Sequence, residues 1–226
     1  MAAVGVICMI GGISYGWSWG RQKLLDAGLF SLKTVEISTS GNWIKPEQVK
    51  QWAGIREGMN ILEIDLTRVR RDLELVPQIK SASVERVLPH LLRVRVIERE
   101  PVARIQTLAV RANGVFLPAT CYIDAEGVVM PAPQAGEVSA AFMQTLESLP
   151  LIRGVAQSEL CPGKKIQSEW VGPVLGLLGS FGNSEVAAQV DIVAIDVSVR
   201  GLMSVVTEDG ATVVLGGTGL EEQLRR

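Results

Sequence analysis

The residue types that usually carry chemistry are sparse in this chain. His90 is the only histidine among 226 residues. It lies between Pro89 and Leu91, with no neighbouring cysteine or second histidine that could complete a metal site. A lone histidine also lacks the partners that nucleophilic catalysis needs. We therefore interpret His90 as a residue of a surface turn.

Two other groups have the spacing of a reactive site. Asp124 and Glu126 are carboxylates one residue apart that strand alternation would point to the same side, but acidic residues are common in turns and no nucleophile accompanies them. Residues 216–219, Gly-Gly-Thr-Gly, follow a predicted strand, as a phosphate loop would. They lack the Gly-Lys-Ser/Thr ending of a Walker loop. We predict no catalytic, cofactor-binding or metal-binding residue, and no enzyme activity.

Composition narrows the classes of partner. The formal net charge is -2 and the isoelectric point is near 5.6. A nucleic-acid-binding domain is expected to have an isoelectric point above about 9. We predict no nucleic-acid partner and, without a catalytic constellation, no small-molecule substrate. With 47% hydrophobic and 20% charged residues, the chain can bury a core in one or two domains.

Three cysteines leave one possible disulfide. Cys8 lies in an apolar N-terminal run, so only Cys121 and Cys161 could pair with each other. An oxidising compartment would permit the bridge, but sequence spacing does not establish the geometry that a disulfide needs. Two free, partly buried thiols are the interpretation that we favour, and the pairing stays open.

The N-terminal stretch has the length and composition of a membrane span. No charged residue occurs from Ala2 to Gly20, and a helix of that length, at about 1.5 Å per residue, nearly crosses a hydrocarbon core about 30 Å thick. Aromatic residues gather at one end, as at a membrane interface: Tyr15, Trp17 and Trp19. We predict a transmembrane helix over residues 1–20. The alternative, a cleaved signal peptide, would need a basic n-region and a small-residue cleavage site, and the stretch shows neither.

A hairpin is the clearest element of the soluble part. Alternating apolar residues flank a break at residues 88–90: Ala82 and Val84 before it, Leu92, Val94 and Val96 after it. This period of two predicts two strands with one buried face, and Pro101 should end the second strand. Arg93 and Arg95 alternate with these apolar residues and should lie on the solvent-exposed (wet) face of the sheet.

Two helices should cover this hairpin, because a hairpin alone is marginally stable. The first begins at Pro46 and ends at Gly54, and the second is capped by Asp65 and ends before Pro77. A short strand, Thr34 to Ser38, precedes both helices, with Val35 and Ile37 facing inward. The basic outer face of the second helix, with Arg68, Arg70 and Arg71, is interpreted as solvated, the alternative being a docking surface for an acidic partner or anionic lipid.

A second, β-rich region follows Pro101. Strands are predicted over residues 104–108, 110–116 and 121–129, the last broken by a turn at residues 126–127. Helices are predicted over residues 139–149 and 169–178, with Gly172-Pro173 disturbing the second. Three further strands cover residues 191–198, 202–207 and 211–215, and Glu208-Asp209-Gly210 is a hairpin turn between the last two.

The order strand, helix, helix, strand, strand from Val35 to Glu98 resembles a POTRA domain. Several short motifs are similar to those of the FtsQ/DivIB family of bacterial cell-division proteins: residues 30–37 (FSLKTVEI), 40–42 (SGN), 75–77 (LVP), 98–103 (EREPVA), 122–127 (YIDAEG), 195–197 (IDV) and 215–216 (LG). The resemblance implies an α+β fold with a transmembrane helix at 1–20, a connector at 21–31, a POTRA domain at 32–101 and an FtsQ-like β-domain at 102–226.

The resemblance also implies a function. FtsQ-like proteins are non-catalytic, membrane-anchored scaffolds of the divisome that link early to late division proteins and help to control septal peptidoglycan synthesis. Expected partners are FtsB/DivIC-like and FtsL-like coiled-coil proteins and upstream septal-ring components. The expected location is the inner (cytoplasmic) membrane at the division site, with the bulk of the chain outside the cytoplasm, although the basic residues after the span argue for the opposite orientation.

The resemblance further assigns a recruitment surface to the first strand of the hairpin. By position in the family pattern, its residues are Lys80, Ser81, Val84 and Arg86, of which we expect Lys80 and Ser81 to be exposed. Val84 shares the parity of Ala82, so a place in the core is equally consistent. A POTRA-containing module for polypeptide transport or outer-membrane assembly is the alternative function.

The C-terminus carries one more expectation. In FtsQ-like proteins a helix and a last strand follow the strands after Leu202, and the outer edge of that last strand receives the FtsB/DivIC-like partner. Here the sequence ends at Arg226, within the expected helix. We therefore expect an incomplete β-domain with an unpaired edge strand and weak partner binding.

Overall fold

A computed structural model describes residues 29–110, 114, 116–134, 136–182 and 190–216. The predicted span at 1–20 and most of the connector at 21–31 lie outside these ranges. Within them, no helix has the length and apolar character needed to cross a membrane. The described residues form two compact units: residues 29–38, 46–73 and 82–96 belong to the first, and residues 39–45, 74–81 and 97–216 belong to the second.

A three-stranded sheet follows the predicted order of elements. Its strands lie in the order β1-β3-β2, with bounds Thr34–Thr39 for β1, Ile79–Val87 for β2 and Leu91–Glu98 for β3. Helices α1 (Pro46–Trp52) and α2 (Leu66–Glu74) lie between β1 and β2 along the chain. The β-α-α-β-β arrangement predicted from the sequence is therefore confirmed.

The predicted helix ends are also confirmed. Asp65 caps α2, since its Oδ1 accepts a hydrogen bond from the Arg68 backbone N at 3.0 Å. Gly54 follows α1 with φ of 63°, a left-handed conformation that suits glycine at a helix end. The helices, the strands and the segments that connect them bury large apolar side chains in the first unit: Leu32, Val49, Ile61, Val69, Leu73, Leu92, Val94 and Val96.

A seven-stranded mixed sheet organises the second unit, in the order β10-β9-β8-β7-β4-β5-β6. The bounds are Pro101–Val110 (β4), Phe116–Asp124 (β5), Val129–Pro131 (β6), Leu151–Arg153 (β7), Ile192–Asp196 (β8), Leu202–Thr207 (β9) and Thr212–Gly216 (β10). Strand β7 runs parallel to both β4 and β8, and the other pairs are antiparallel.

Two helices accompany this sheet, α3 (Ala140–Ser148) and α4 (Val171–Gly182). Ser139 caps α3 by accepting from the Phe142 backbone N. The prediction that Pro173 disturbs the second helix is wrong. The helix begins at Val171, so Pro173 occupies its third position, where the backbone N–H that proline lacks would have no intrahelical acceptor.

Two other predictions for this region need correction. The predicted strand over residues 110–116 is wrong, because Val110 ends β4 and Phe116 begins β5, and the two residues pair with each other. Gly114, with φ of 77°, lies in the connection between them. Strand β7 was not predicted, since three residues are too few to show a period.

Both cysteines in the described part of the chain are free, as favoured above. Cys121 is buried in β5, and burial raises the pKa of its thiol to about 11. Cys161 is exposed rather than partly buried.

Candidate functional site

The four predicted recruitment residues lie on β2, an edge strand of the three-stranded sheet. The side chain of Lys80 is 52% exposed, and Arg86 is also exposed. Ser81 is only partly buried rather than exposed, which corrects the expectation for that residue. Val84 is likewise half-buried, whereas Ala82 is buried, so the choice between core and surface for Val84 stays open.

Lys80 is held in a network of four charged side chains. Its Nζ lies 2.9 Å from Oε1 of Glu126. The other carboxylate oxygen of Glu126 accepts from Arg99 Nη1 at 3.1 Å, and the same Arg99 nitrogen donates to Asp124 Oδ2 at 2.6 Å. All four residues belong to the second unit. The network fastens the beginning of β2 to the turn between β5 and β6.

Asp124 is the buried end of this network, with 4% of its surface exposed. Its Oδ1 accepts from the backbone N–H groups of Glu126 at 2.9 Å and Val128 at 2.8 Å. A buried carboxylate requires such partners, because an unpaired charge away from water is costly. Asp124 and Glu126, considered above as a possible reactive pair, thus form a structural turn, and both accept hydrogen bonds from Arg99.

The pKa values of the exposed pair shift in the directions that an ion pair produces. The hydrogen bond from Lys80, and then the one from Arg99, lowers the pKa of Glu126 below its ordinary value. The same contact with Glu126 raises the pKa of Lys80. Both side chains therefore stay charged throughout the neutral pH range.

Arg86 makes contacts that sequence reasoning missed. Its Nε donates to the carbonyl oxygen of Ile61 at 2.8 Å, and its Nη2 donates to the carbonyl oxygens of Leu62 and Ile64. These three carbonyls belong to the loop between α1 and α2. Arg86 therefore holds this loop, and no sequence motif indicated that role.

The wet face of the three-stranded sheet carries a row of opposite charges. Arg93 on β3 contacts Glu36 on β1 at 3.0 Å and Glu85 on β2 at 4.0 Å. Arg95 lies 3.9 Å from the same Glu85. Such cross-strand pairs contribute modestly to a sheet, and the predicted wet face of β3 is confirmed.

The β6 edge of the seven-stranded sheet is covered by the segment 163–165. The Val129 backbone N donates to the carbonyl oxygen of Lys164 at 3.0 Å, and the Gly163 N donates to the carbonyl oxygen of Val129 at 2.8 Å. Val128 also forms a β-bridge with Lys165. Main-chain groups at this edge are thus already paired.

The β10 edge differs, because the described residues place no strand beyond it. The Thr207 N donates to the carbonyl oxygen of Ala211 across the predicted hairpin turn. Since bonded pairs alternate in an antiparallel ladder, residues 213 and 215 also bond to β9, while the main-chain groups of residues 212, 214 and 216 point away. Val213 and Val214 are 49% and 59% exposed. This edge can accept an added strand.

The other residues considered for chemistry lie in structural positions. His90 is exposed in the turn between β2 and β3, and its carbonyl oxygen accepts from the backbone N of Lys33 and Thr34. Across the described ranges, His, Cys, Asp and Glu form no group that could hold a metal ion. Gly216 ends β10, and the remainder of the 216–219 stretch lies outside the described residues.

Comparison with known proteins agrees with this architecture. Residues 30–99 match the model of the FtsQ-type POTRA domain. A cell division protein FtsQ from Geobacter sp. (strain M21) is 27% identical over 98% of this chain and 74% of its own length. Proteins of the same name from Corynebacterium glutamicum and Syntrophotalea carbinolica are 35% and 28% identical over 55% and 76% of this chain.

The share of each relative that is covered differs among the three proteins. The chain spans 54% of the length of both the Corynebacterium and the Syntrophotalea relatives and 74% of the length of the Geobacter relative. The chain thus contains an FtsQ-type POTRA domain and is similar over most of its length to proteins named cell division protein FtsQ.

Proposed function

We propose that this chain is a membrane-anchored scaffold of the bacterial divisome, which links early to late division proteins and helps to control septal peptidoglycan synthesis. Its similarity to proteins named cell division protein FtsQ supports a role in division. Within the described residues, no strand pairs with the outer edge of β10. This observation carries the scaffold mechanism, because such an edge offers main-chain groups for binding.

The proposed location is the inner (cytoplasmic) membrane at the division site. Residues 1–20 would anchor the chain, and residues 21–226 would lie outside the cytoplasm, with a POTRA domain at 32–101 and a β-domain from 102. The uncharged stretch from Ala2 to Gly20 supports the anchor, and the resemblance to FtsQ-like proteins supports the orientation.

One surface would bind early partners, and a second surface would bind late partners. The recruitment surface on β2, with Lys80, Ser81, Val84 and Arg86, would engage upstream septal-ring components. In place of the last strand expected from the resemblance, the β10 edge would bind an extended segment of an FtsB/DivIC-like partner, which acts together with an FtsL-like protein. This binding should be weak, as expected above. An added strand gains main-chain hydrogen bonds from the edge, while Val213 and Val214 give it apolar side-chain contacts.

The recruitment surface can be tested by fluorescence microscopy of the tagged full chain in dividing cells. The wild-type chain should gather at mid-cell, and Lys80→Glu should reduce that signal at equal protein level. Lys80→Glu is a cleaner change than Ser81→Glu, because Ser81 is partly buried.

Lys50→Glu is the matched control for this experiment. Lys50 is also a surface lysine in one close ion pair, 2.8 Å from Glu57, but it lies on α1, away from the assigned strand. It should localise normally. A wild-type chain that spreads evenly over the membrane would refute the division role, and unchanged localisation of Lys80→Glu would remove the recruitment surface.

A further inference from the structure

We propose that Glu126, on the turn between β5 and β6, is a positioning residue for Lys80 and thereby part of the surface that recruits this chain. The inference rests on the recruitment surface proposed above. It extends that surface from strand β2 to a turn more than forty residues later, which no sequence motif connected with recruitment.

The first step concerns the freedom of the lysine. A long side chain that is 52% exposed normally loses rotamer freedom when a partner binds it, and that loss weakens binding. The contact of 2.9 Å with Glu126 already restricts the ammonium group in the unbound protein. Lys80 is thus presented to a partner in a limited set of positions.

The second step is that Glu126 is itself fixed. Its backbone N donates to the buried Asp124 carboxylate, and its side chain accepts from Arg99, which is only 15% exposed. A continuous chain of polar contacts therefore runs from a buried carboxylate to the exposed ammonium. In the pair of Lys50 and Glu57, by comparison, the carboxylate side chain is 64% exposed.

The third step concerns the chemistry of the partner. The charges of Lys80, Glu126, Arg99 and Asp124 sum to zero, so this surface is not a basic patch. An acidic segment approaching Lys80 would meet the Glu126 carboxylate, which is 49% exposed. An ammonium has three N–H donors, and one is directed to Glu126. The surface fits an extended peptide segment whose carbonyl or hydroxyl oxygens accept from Lys80, running along the edge strand β2.

The test compares four variants of the tagged full chain at equal protein level: Glu126→Gln, Lys80→Glu, the exchanged pair Lys80→Glu with Glu126→Lys, and Lys50→Glu. Mid-cell signal reports recruitment, and the thermal midpoint of each purified full chain in detergent reports folding. Glu126→Gln should lower the mid-cell signal about two- to fivefold, the range expected for one surface ion pair, with a thermal midpoint only slightly below that of the wild type.

The exchanged pair separates positioning from a merely structural role. It restores an ion pair at this place but puts an acceptor where the partner needs a donor, so its recruitment should stay low. Its midpoint should fall slightly, because a lysine at position 126 repels Arg99, which contacts Glu126 at 3.1 Å in the wild type. Recovery of recruitment in the exchanged pair would overturn the proposal. Normal recruitment of Glu126→Gln beside a defective Lys80→Glu would overturn it while leaving the recruitment surface intact, whereas normal recruitment of Lys80→Glu would remove both.

Discussion

Strands β6 and β10 lie at opposite ends of the seven-stranded sheet and differ in what covers them. The segment 163–165 pairs with the outer main-chain groups of β6. In the described residues no comparable segment pairs with β10, and two of its valines are about half exposed. Unpaired strand edges favour non-specific association.

The difference between the β6 and β10 edges indicates where a partner strand is expected to bind. Strand addition is the interaction that an uncovered strand edge supports best, and among the described residues β10 offers such an edge. The covered edge also lies beside the Lys80 network, because Asp124 ends β5 and Glu126 belongs to the turn between β5 and β6. Among the described residues, main-chain strand addition is therefore expected at β10 rather than at β6, where partners would meet side chains such as Lys80.

The largest effect should come from breaking the turn that supports β6. Asp124→Ala leaves Arg99 without its buried partner and two backbone N–H groups without an acceptor, so we expect a loss of about 3 kcal/mol in the free energy of unfolding. Urea denaturation followed by circular dichroism measures this. Asp209→Ala, on the exposed turn between β9 and β10, is the control and should change little. A loss below about 0.5 kcal/mol for Asp124→Ala would mean that the network does not support the fold.

A second change would uncover the β6 edge. Gly163 has φ of 77°, so Gly163→Ala strains the turn by about 1–2 kcal/mol and should loosen the hydrogen bonds between this segment and Val129. We expect lower stability and more aggregation by light scattering. Gly172→Ala in α4 is the control, because its added methyl group meets open space and alanine favours a helix. Equal behaviour of the two variants would contradict the covering role.

A third change should sharpen the contrast at β10. Val214→Pro removes a main-chain donor that points away from β9, so the sheet should lose less than about 1 kcal/mol. Val213→Pro removes a donor to β9 and should destabilise more. Binding of the FtsB/DivIC-like extracytoplasmic segment, measured by titration with the full chain, should weaken strongly for Val214→Pro. Wild-type affinity in that variant would exclude strand addition at this edge.

The smallest expected effect is a dependence on pH. Because the folded-state pKa of Glu126 is lowered from 4.5, its contribution to stability is present above that ordinary value and disappears as the pH falls through the lower folded-state pKa. The thermal midpoint of Glu126→Gln should therefore lie slightly below that of the wild type at pH 7, and the difference should vanish in strong acid. If the midpoints of the variant and the wild type differ by the same amount at pH 7 and in strong acid, the ionised pair is not the cause of that difference.

Much of the fold could be predicted because local signals agreed with it. Pro46, Asp65 and Gly54 marked the helix ends, and Gly210, with φ of 79°, formed the hairpin turn expected between β9 and β10. Strand β7 could not be predicted, since its position between β4 and β8 depends on tertiary pairing rather than on a pattern within Leu151–Arg153.

The site was less accessible to sequence reasoning. Strand alternation predicted a shared side for Asp124 and Glu126, but Glu126 lies in the turn after β5 and contacts Lys80 directly. Asp124 is joined to this pair through Arg99, which lies 25 residues from Asp124 in the sequence. Similarly, Arg86 donates a hydrogen bond to the carbonyl oxygen of Ile61 in the α1–α2 loop, 25 residues away in the sequence. Contacts of this range have no local signature.

Hydrogen exchange of individual backbone amides in the full chain, with and without the FtsB/DivIC-like segment, tests the strand-addition mechanism most directly. The amides of residues 212, 214 and 216 should exchange fast in the free protein and slow markedly at saturation, because an added strand gives them acceptors. Val129, already bonded to the carbonyl oxygen of Lys164, should be unchanged. A saturated complex in which residues 212, 214 and 216 exchange as in the free protein would contradict the mechanism.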